Sequence, residues 1–462
     1  MSAPVLNSNA NSALISTLSS SDALVNPFEY SLEKMLPFGA SYTTDCLPVQ
    51  GSGQSFGASS VIDFDLPKWG MLRNICLNFQ VIQTNTMVKT SDIGAIGLIE
   101  NIELLSSSRR ILNLSHKDLL CLYSDYPSQQ KGAIVTNVLA IPETCTLTAA
   151  NNEAGLGKTY SINIPFSLMM NHKLNPNLLF QEPQRVRITL SDLVIGTIAL
   201  ASHVTATQAI TSVYNPSLKA EYFNPPRELE DKTIQENYGD GSLSVVCYDF
   251  HDENVSVAGT SVGEGESYNI NNYVECEIKD VGVVSDIYFY INLDSHKNAT
   301  DNTATANANN RPSVTHQTQA RTPVPMYRCE LSANGQILFS KNHYEMSAWG
   351  RKSDGAIPYS SGQETATGTC LDSVYKIPLC LSDDKRYPSG GMSLRELHNV
   401  RLRVWYQTHD GNANSGIHHS AGGGFASTGT YKIKPSLNVM LKKYQILTCE
   451  SASGRVITSV AN

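Results

Sequence analysis

Gly70-Met-Leu-Arg-Asn-Ile-Cys-Leu-Asn-Phe79 is echoed 212 residues later by Gly282-Val-Val-Ser-Asp-Ile-Tyr-Phe-Tyr-Ile291. Both are apolar, strand-like runs opened by a glycine. Three further blocks recur in the same order. Asn163-Ile-Pro-Phe-Ser-Leu168 matches Lys376-Ile-Pro-Leu-Cys-Leu381 at an offset of 213, and Arg185-Val-Arg-Ile-Thr-Leu190 matches Asn399-Val-Arg-Leu-Arg-Val404 at 214. Glu103-Leu104 matches Glu330-Leu331 at 227, the larger offset reflecting a polar insertion over 296–322. One such block arises easily by chance. Four in one order at nearly one spacing indicate an internal duplication.

Around these blocks the chain reads as strands. Ile75–Val81, Ile99–Leu105, Tyr160–Leu168 and Arg185–Leu190 are short, alternating or β-branched, and bounded by turn residues. The same grammar resumes at Leu243–Phe250, Val274–Ile278, Ile287–Leu293, Tyr327–Leu331, Val374–Leu381, Val400–Tyr406 and Leu437–Leu447. Only Ser115–Tyr123 and Ser393–His398 read as helices, each with a serine cap and an acid three residues on. Each copy spans roughly 200 residues, the size of an eight-stranded jelly roll with long loops, a double-sheet answer to the problem of exposed strand edges. The expected fold is therefore all-β: two tandem eight-stranded jelly rolls with few short helices. The expected organisation is an arm over 1–40, a first roll over 41–225, a charged Pro- and Gly-flanked linker over 226–241, and a second roll over 242–462. Stretches 296–322 and 407–430 are polar loops too poor in large apolar side chains to form a core.

Composition narrows the function. Only 16% of the residues are charged and the formal net charge is -8. Wrapping duplex DNA needs a basic face to displace counterions. The densest basic cluster, Lys432–Lys434 with Lys442–Lys443, is short and reads as solvated or interface lysines, so direct nucleic-acid binding is not expected. The ten cysteines are scattered, with no Cys-x-x-Cys pair, and most lie in apolar runs. That is the usage of small buried hydrophobes in a reducing compartment, not a disulfide framework or a zinc site. The opening residues lack the basic and continuous apolar regions of a signal peptide, and no apolar run reaches membrane-spanning length.

Several motifs invite chemistry and fall short. Gly155-Leu-Gly-Lys-Thr159 looks like the end of a phosphate-binding loop, but the glycine that motif needs is Asn152 and no helix pattern follows. His409, His418 and His419 lie in a Gly/Ser loop with no evident support for metal geometry. Asp249, His251, Asp252 and Glu253 form the densest acid/His cluster, which reads first as a turn at a strand end and second as the start of a calcium or paired-carboxylate site. No catalytic, cofactor-binding or metal-binding residue is assigned, and no cofactor is expected.

Five segments carry a family resemblance. Gly97-Leu-Ile-Glu-Asn-Ile-Glu-Leu104, Ile164-Pro-Phe166 followed by Asn175-Pro-Asn-Leu-Leu179, Lys219-Ala-Glu-Tyr222 with Pro226-Arg-Glu-Leu-Glu-Asp231, Tyr387-Pro-Ser-Gly390, and Val439 to Leu447 followed by Gly454 occur in order. Together they resemble the double-jelly-roll major capsid proteins of nucleocytoplasmic large DNA viruses and their relatives, over about residues 40–462. The entry segment Leu36-Pro-Phe-Gly39 to Gly53 departs from that family's usual pattern. The resemblance implies a structural subunit, not an enzyme. It implies homotrimeric, pseudo-hexagonal capsomers contacting neighbouring capsomers and minor capsid proteins in an icosahedral shell, assembled in the host cytoplasm. Loops 296–322 and 407–430 would face outward. The arm, with Phe28, Tyr30, Leu36 and Phe38, would face inward toward minor proteins or an internal membrane, or those four would fill the first roll's core. The competing reading is a carbohydrate-binding β-sandwich, a lectin or viral attachment protein. A jelly-roll glycosidase is a third.

Overall fold

The computed structural model describes residues 41–51, 55–68, 71–81, 88–90, 93–126, 134, 137–139, 158–166, 182–193, 197–199, 212–223, 242–256, 260–262, 273–279, 282–293, 323, 326–342, 345–346, 370–380, 390–406, 431–433, 435–450 and 456–460. The expected arm, the linker and both long polar loops lie outside the described residues.

In the first half the strands are β1 (Ser41–Cys46), β2 (Ser55–Gly57), β3 (Val61–Asp65), β4 (Met71–Val81), β5 (Val88–Thr90), β6 (Ile99–Ser106), β7 (Arg109–Ser115), β8 (Lys158–Asn163), β9 (Gln184–Leu190), β10 (Thr197–Ala199) and β11 (Ser212–Phe223). In the second half they are β12 (Ser242–Ser256), β13 (Thr260–Val262), β14 (Tyr273–Glu277), β15 (Val283–Leu293), β16 (Met326–Ala333), β17 (Gln336–Asn342), β18 (Tyr375–Pro378), β19 (Met392–Ser393), β20 (Arg401–Tyr406), β21 (Tyr431–Ile433), β22 (Pro435–Glu450) and β23 (Val456–Val460). One α-helix is described, α1 (His116–Ser124), following β7 directly.

The two halves share one topology. The first builds antiparallel sheets ordered β1-β11-β4-β8 and β3-β9-β6-β7, and the second builds β12-β22-β15-β18 and β14-β20-β16-β17. If the eight principal strands of either half are counted in chain order, both give 1-8-3-6 and 2-7-4-5. This is a jelly roll, made twice. Shorter strands extend it: β2 on β11, β19 on β15, β23 on β22, and the pairs β5–β10 and β13–β21.

Even the pairing register repeats. Cys76 faces Asn163 across β4 and β8, as Tyr288 faces Lys376 across β15 and β18. Equivalent bulges interrupt β6–β7 between Leu104 and Leu105 and β16–β17 between Leu331 and Ser332. Ser107 and Asn334, 227 residues apart, both turn their hairpins with left-handed backbone, at φ 54° and 53°. One expected alignment shifts. Glu103 pairs with Arg187 and Glu330 with Arg403, so the Arg185 block corresponds to Arg401-Leu-Arg-Val-Trp-Tyr406, two residues beyond the match read from sequence. A slip of two keeps every side chain on its own face, so the alternating pattern could not reveal it.

Two smaller expectations also change. Strand β8 stops at Asn163, with Ile164–Phe166 irregular, because Pro165 cannot donate to a ladder. Ser393–His398 is a three-residue 3-10 turn, Leu394–Glu396, without a side-chain cap bond, since Ser393 is engaged in pairing β19 with β15. So short a segment cannot repay helix nucleation.

The first roll's core is lined by Phe64, Ile75, Leu77, Phe79, Tyr160 and Val186. The second roll's core is lined by Ile287, Phe289, Ile291, Tyr375, Leu402 and Val439. Phe289 and Tyr375 stack there with ring centroids 5.5 Å apart. Replacing Phe289 by Ala should cost about 3–5 kcal/mol, lost transfer energy plus the cavity left behind, read as a lower urea midpoint.

Candidate assembly site at the junction of the rolls

Helix α1 begins with the capping box expected at Ser115. The Ser115 hydroxyl accepts from the Asp118 N–H, while Asp118 Oδ2 accepts from the Ser115 N–H and hydroxyl, both at 2.8 Å. Leu119, Leu120, Cys121, Leu122 and Tyr123 are all buried. A helix buried on every side must be covered by something besides its own sheet. Here the cover is the second roll. Lys117 Nζ lies 3.7 Å from an Asp252 carboxylate oxygen on β12. At the other end Asp125, the C-cap residue, accepts from the Tyr288 hydroxyl on β15 and pairs with Lys376 on β18 at 3.4 Å.

The sheet that receives α1 is β12-β22-β15-β18, and β15 with the middle of β22 is buried on both faces. Ile287, Phe289, Ile291, Val439 and Leu441 point into the second roll's own core. Tyr288, Tyr290, Met440 and Cys247 join the first roll's core instead. Charges are buried with them. Asp286 Oδ1 lies 3.4 Å from Lys376 Nζ, and Asp286 Oδ2 lies 3.4 Å from Lys442 Nζ. Ser285 Oγ is 3.0 Å from the same Oδ2. Lys442 also sits over the Tyr248 ring, 4.3 Å from its centroid, and Lys376 over Tyr288 at 5.4 Å. Asp125, Lys376, Asp286 and Lys442 thus form a neutral chain of alternating charge running from the first roll into the second. Desolvating four charges leaves little net stability, but a wrong seating of the rolls would leave some of them buried and unpaired. The chain therefore acts on register more than on strength.

Burial, with Asp125 and Asp286 nearby, pushes the Tyr288 hydroxyl well above its ordinary range, so it remains a donor to Asp125. Burial followed by the nearby Asp252 carboxylate pushes Asp118 well above the usual carboxylate range, against the opposing Ser115 bonds. Burial likewise raises the Cys46 thiol to about 11 and the Cys329 thiol to about 12, which keeps them protonated and unreactive. Cys46, Cys76, Cys121, Cys247, Cys276, Cys329 and Cys380 are free, five of them buried.

The outward face of the other sheet in each roll carries a duplicated ion ladder. Arg187 Nε and Nη2 reach the Asp63 carboxylate at 2.8 and 3.2 Å, with Glu103 on the far side of the strand. Arg403 Nε and Nη2 reach Glu275 at 3.0 and 2.6 Å, with Glu330 beyond. In the second roll Tyr273 and Trp405 join, with Arg403 4.8 Å above the Tyr273 ring and Arg328 5.2 Å from the Trp405 centroid. Exposed pairs of this kind contribute little each, and the Arg-centred fork mainly fixes which strands adjoin.

Other residues singled out in the sequence fall as follows. Asp249, His251, Asp252 and Glu253 do not form a strand-end turn. They lie within β12, paired against Lys443, Leu441, Met440 and Val439. Alternation sends neighbours to opposite faces, so they do not converge: Asp252 meets Lys117 and His251 lies 3.4 Å from Glu253. Lys158 and Thr159 are strand residues of β8, and Gly155–Gly157 lie outside the described residues. His409, His418 and His419 lie outside them too, as do Phe28, Tyr30, Leu36 and Phe38. Among the described residues no three His, Cys, Asp or Glu side chains are grouped to hold a metal ion, and no helix is long and apolar enough to cross a membrane. Lys442, read as a solvated or interface lysine, is 5% exposed inside the junction.

The buried charge chain was not foreseen, yet a signal for it exists. Ile75-Cys-Leu-Asn-Phe79 alternates, as one-sided burial requires, whereas Ile287-Tyr-Phe-Tyr-Ile291 is apolar at every position. A continuous run marks a strand covered on both faces, and an Asp or Lys inside such a run must find a partner there.

No protein-family model and no curated protein matches this chain. Solved structures do. The PBCV-1 virus capsid quasi-atomic model aligns over 94% of this chain and 100% of its own, with a TM-score of 0.58 and 13% identity. The Faustovirus major capsid protein aligns over 95% and 98%, with a TM-score of 0.53 and 10% identity. The mavirus major capsid protein aligns over 94% of both chains, with a TM-score of 0.50 and 9% identity. The likeness establishes the fold: this chain has the all-β jelly-roll architecture of those capsid proteins.

Two outcomes are expected. Asp286→Asn keeps the shape but strips Lys442 of its carboxylate, and should lower stability in urea by about 3–5 kcal/mol. Asp118, with its folded pKa raised, loses native stability as pH rises from its unfolded value through its folded one. Asp118→Asn removes that penalty, so the variant should gain on the wild type as pH rises above the ordinary carboxylate range in paired urea titrations.

Proposed function

We propose that this chain is the major capsid protein of an icosahedral double-stranded DNA virus, three copies of which form a pseudo-hexagonal capsomer. One observation carries the reading. A single chain builds two jelly rolls with identical strand order and a largely repeated register, and solved proteins that align with it over nearly its whole length are named as virus capsid proteins.

The geometry gives the duplication a purpose. Two similar lobes per chain and three chains per closed ring make six similar lobes, and a six-lobed block tiles a hexagonal lattice. The rolls must then be held rigidly at a fixed angle, which the α1 clamp and the buried charge chain accomplish. Interfaces between the chains should be large and apolar at their centres, as obligate interfaces are. The role is structural and not enzymatic, its place the virion capsid. Neighbouring capsomers and minor capsid proteins are the partners, the latter, or an internal membrane, on the side of the N-terminal arm. Loops 296–322 and 407–430 belong to the outer surface. With a net charge of -8, the subunit leaves direct contact with the genome to other proteins. The domains follow the rolls, 41–225 and 242–462 with a linker over 226–241. A carbohydrate-binding sandwich has weaker support, since the solved structures described above, each with a TM-score of 0.50 or more, are named as capsid proteins.

Native mass by light scattering tests this. The expected species has three times the chain mass of 50.4 kDa, about 151 kDa, and persists on dilution. A well-folded monomer under the same conditions would contradict the proposal.

A further inference from the structure

The two rolls carry the same strands but bury them differently, and the difference locates a docking surface. Strand β7 is the outer strand of its sheet in the first roll and β17 holds that place in the second. The two correspond residue by residue at an offset of 227, set by the shared bulge and the shared left-handed turn residue. The correspondence extends past the strand. Asn342 and Glu345 exchange the same capping bonds, at 2.8 and 2.9 Å, that Ser115 and Asp118 make.

Exposure diverges at these matched positions. Ile111 is 4% exposed and its counterpart Leu338 is 51% exposed. At Arg110 and its counterpart Ile337 both side chains are exposed, but a charged one is replaced by an apolar one. Asp118 is buried, whereas Glu345 is exposed. The cause is the second roll. Its first strand, β12, lies along β7 and α1, with Asp252 meeting Lys117 and Arg110 acting electrostatically on Asp249. Among the described residues β17 pairs with β16 alone, and no strand is placed along it as β12 is along β7.

The strand matching β12 in the first roll is β1. Their pairings with β11 and β22 set Tyr42 against Asp249, since Tyr42 faces Tyr222 as Asp249 faces Lys443. The two sides change character together. Where the internal junction sets Arg110 near Asp249, the corresponding positions hold exposed Ile337 on one side and, on the other, Tyr42, half-buried and stacked on Tyr222 with ring centroids 5.5 Å apart. Leu47 and Val49, just past β1, are 57% and 51% exposed. Large exposed apolar side chains on both halves of an unfilled contact mark an interaction surface, and an open strand edge is a natural template for one.

We propose that the β17 edge of one copy, through Ile337 and Leu338, docks against the β1 side of a second copy, around Tyr42, Leu47 and Val49, as β7 docks against β12 within the chain. This rests on the capsomer reading and names its inter-chain contact. Repeated three times, the contact alternates with the internal junction around the ring, so that every roll covers the edge of the one before it. The external contact is apolar where the internal one is charged, which keeps a second roll from docking onto the wrong site.

The test uses the full chain. Ile337→Asp combined with Leu338→Asp changes only exposed positions, and should leave the circular-dichroism spectrum and melting unaltered while converting the particle to a 50.4 kDa monomer. A variant that remains as trimeric as the wild type would overturn this surface and leave the capsomer reading standing. A monomeric wild type would sink that reading and this surface with it. As an independent measure, Tyr42→Cys with Ile337→Cys should form disulfides between chains on mild oxidation, giving covalent trimers on a denaturing gel. Trimers that yield no cross-link would overturn the pairing even if the aspartate variant fails to fold.

Discussion

The middle of the sheet β12-β22-β15-β18 has no free face, and the rest of the molecule is arranged around that constraint. One side closes the second roll. The other belongs to the core of the first roll, with α1 lying on it and Asp125 reaching into it. A sheet buried twice needs apolar residues at successive positions, which β15 supplies from Ile287 to Ile291. It also concentrates the consequences of error. Asp286 and Lys442 are paired within the second roll's own sheet, but Asp125 meets Lys376 and Tyr288 in a single seating of the rolls, and any other leaves a bare charge in an apolar junction. Two similar domains that might otherwise swivel on a linker become one rigid unit.

Duplication followed by specialisation explains the remaining asymmetry. Strand order, register, bulges, hairpin turns and capping boxes are common to the two rolls. What differs is which surfaces are spent inside the chain. The first roll gives up β7 and α1 to the internal junction and keeps the β1 side open. The second gives up β12 and keeps the β17 edge open. A chain whose spare surfaces are the complements of its used ones is suited to closing with copies of itself.

Much of this was legible in the sequence because it rests on local rules. The four repeated blocks located the duplication, alternation located most strands, and Ser115 with Asp118 located the helix and its cap. The reading failed where the determinants are non-local. The Arg185 block was matched two residues out of step, since a two-residue slip preserves facing. The Asp249–Glu253 cluster looked like a turn because four polar residues within five positions usually mark one. In the fold they belong to a strand of fifteen residues whose partners are nearly 200 positions away. The ion chain was hidden for the same reason, with Asp125, Lys376 and Lys442 brought together only by tertiary packing. Asn334-Gly335, a strong hairpin signal, was available and would have located β16–β17 directly.

The central claim is that the rolls of each chain are successive lobes of one closed ring. Projection images of the purified particle by electron microscopy test it most directly. The account predicts a compact outline of six similar lobes with threefold symmetry, each lobe the size of one roll. Isolated two-lobed particles, or rings with any other number of lobes, would contradict it.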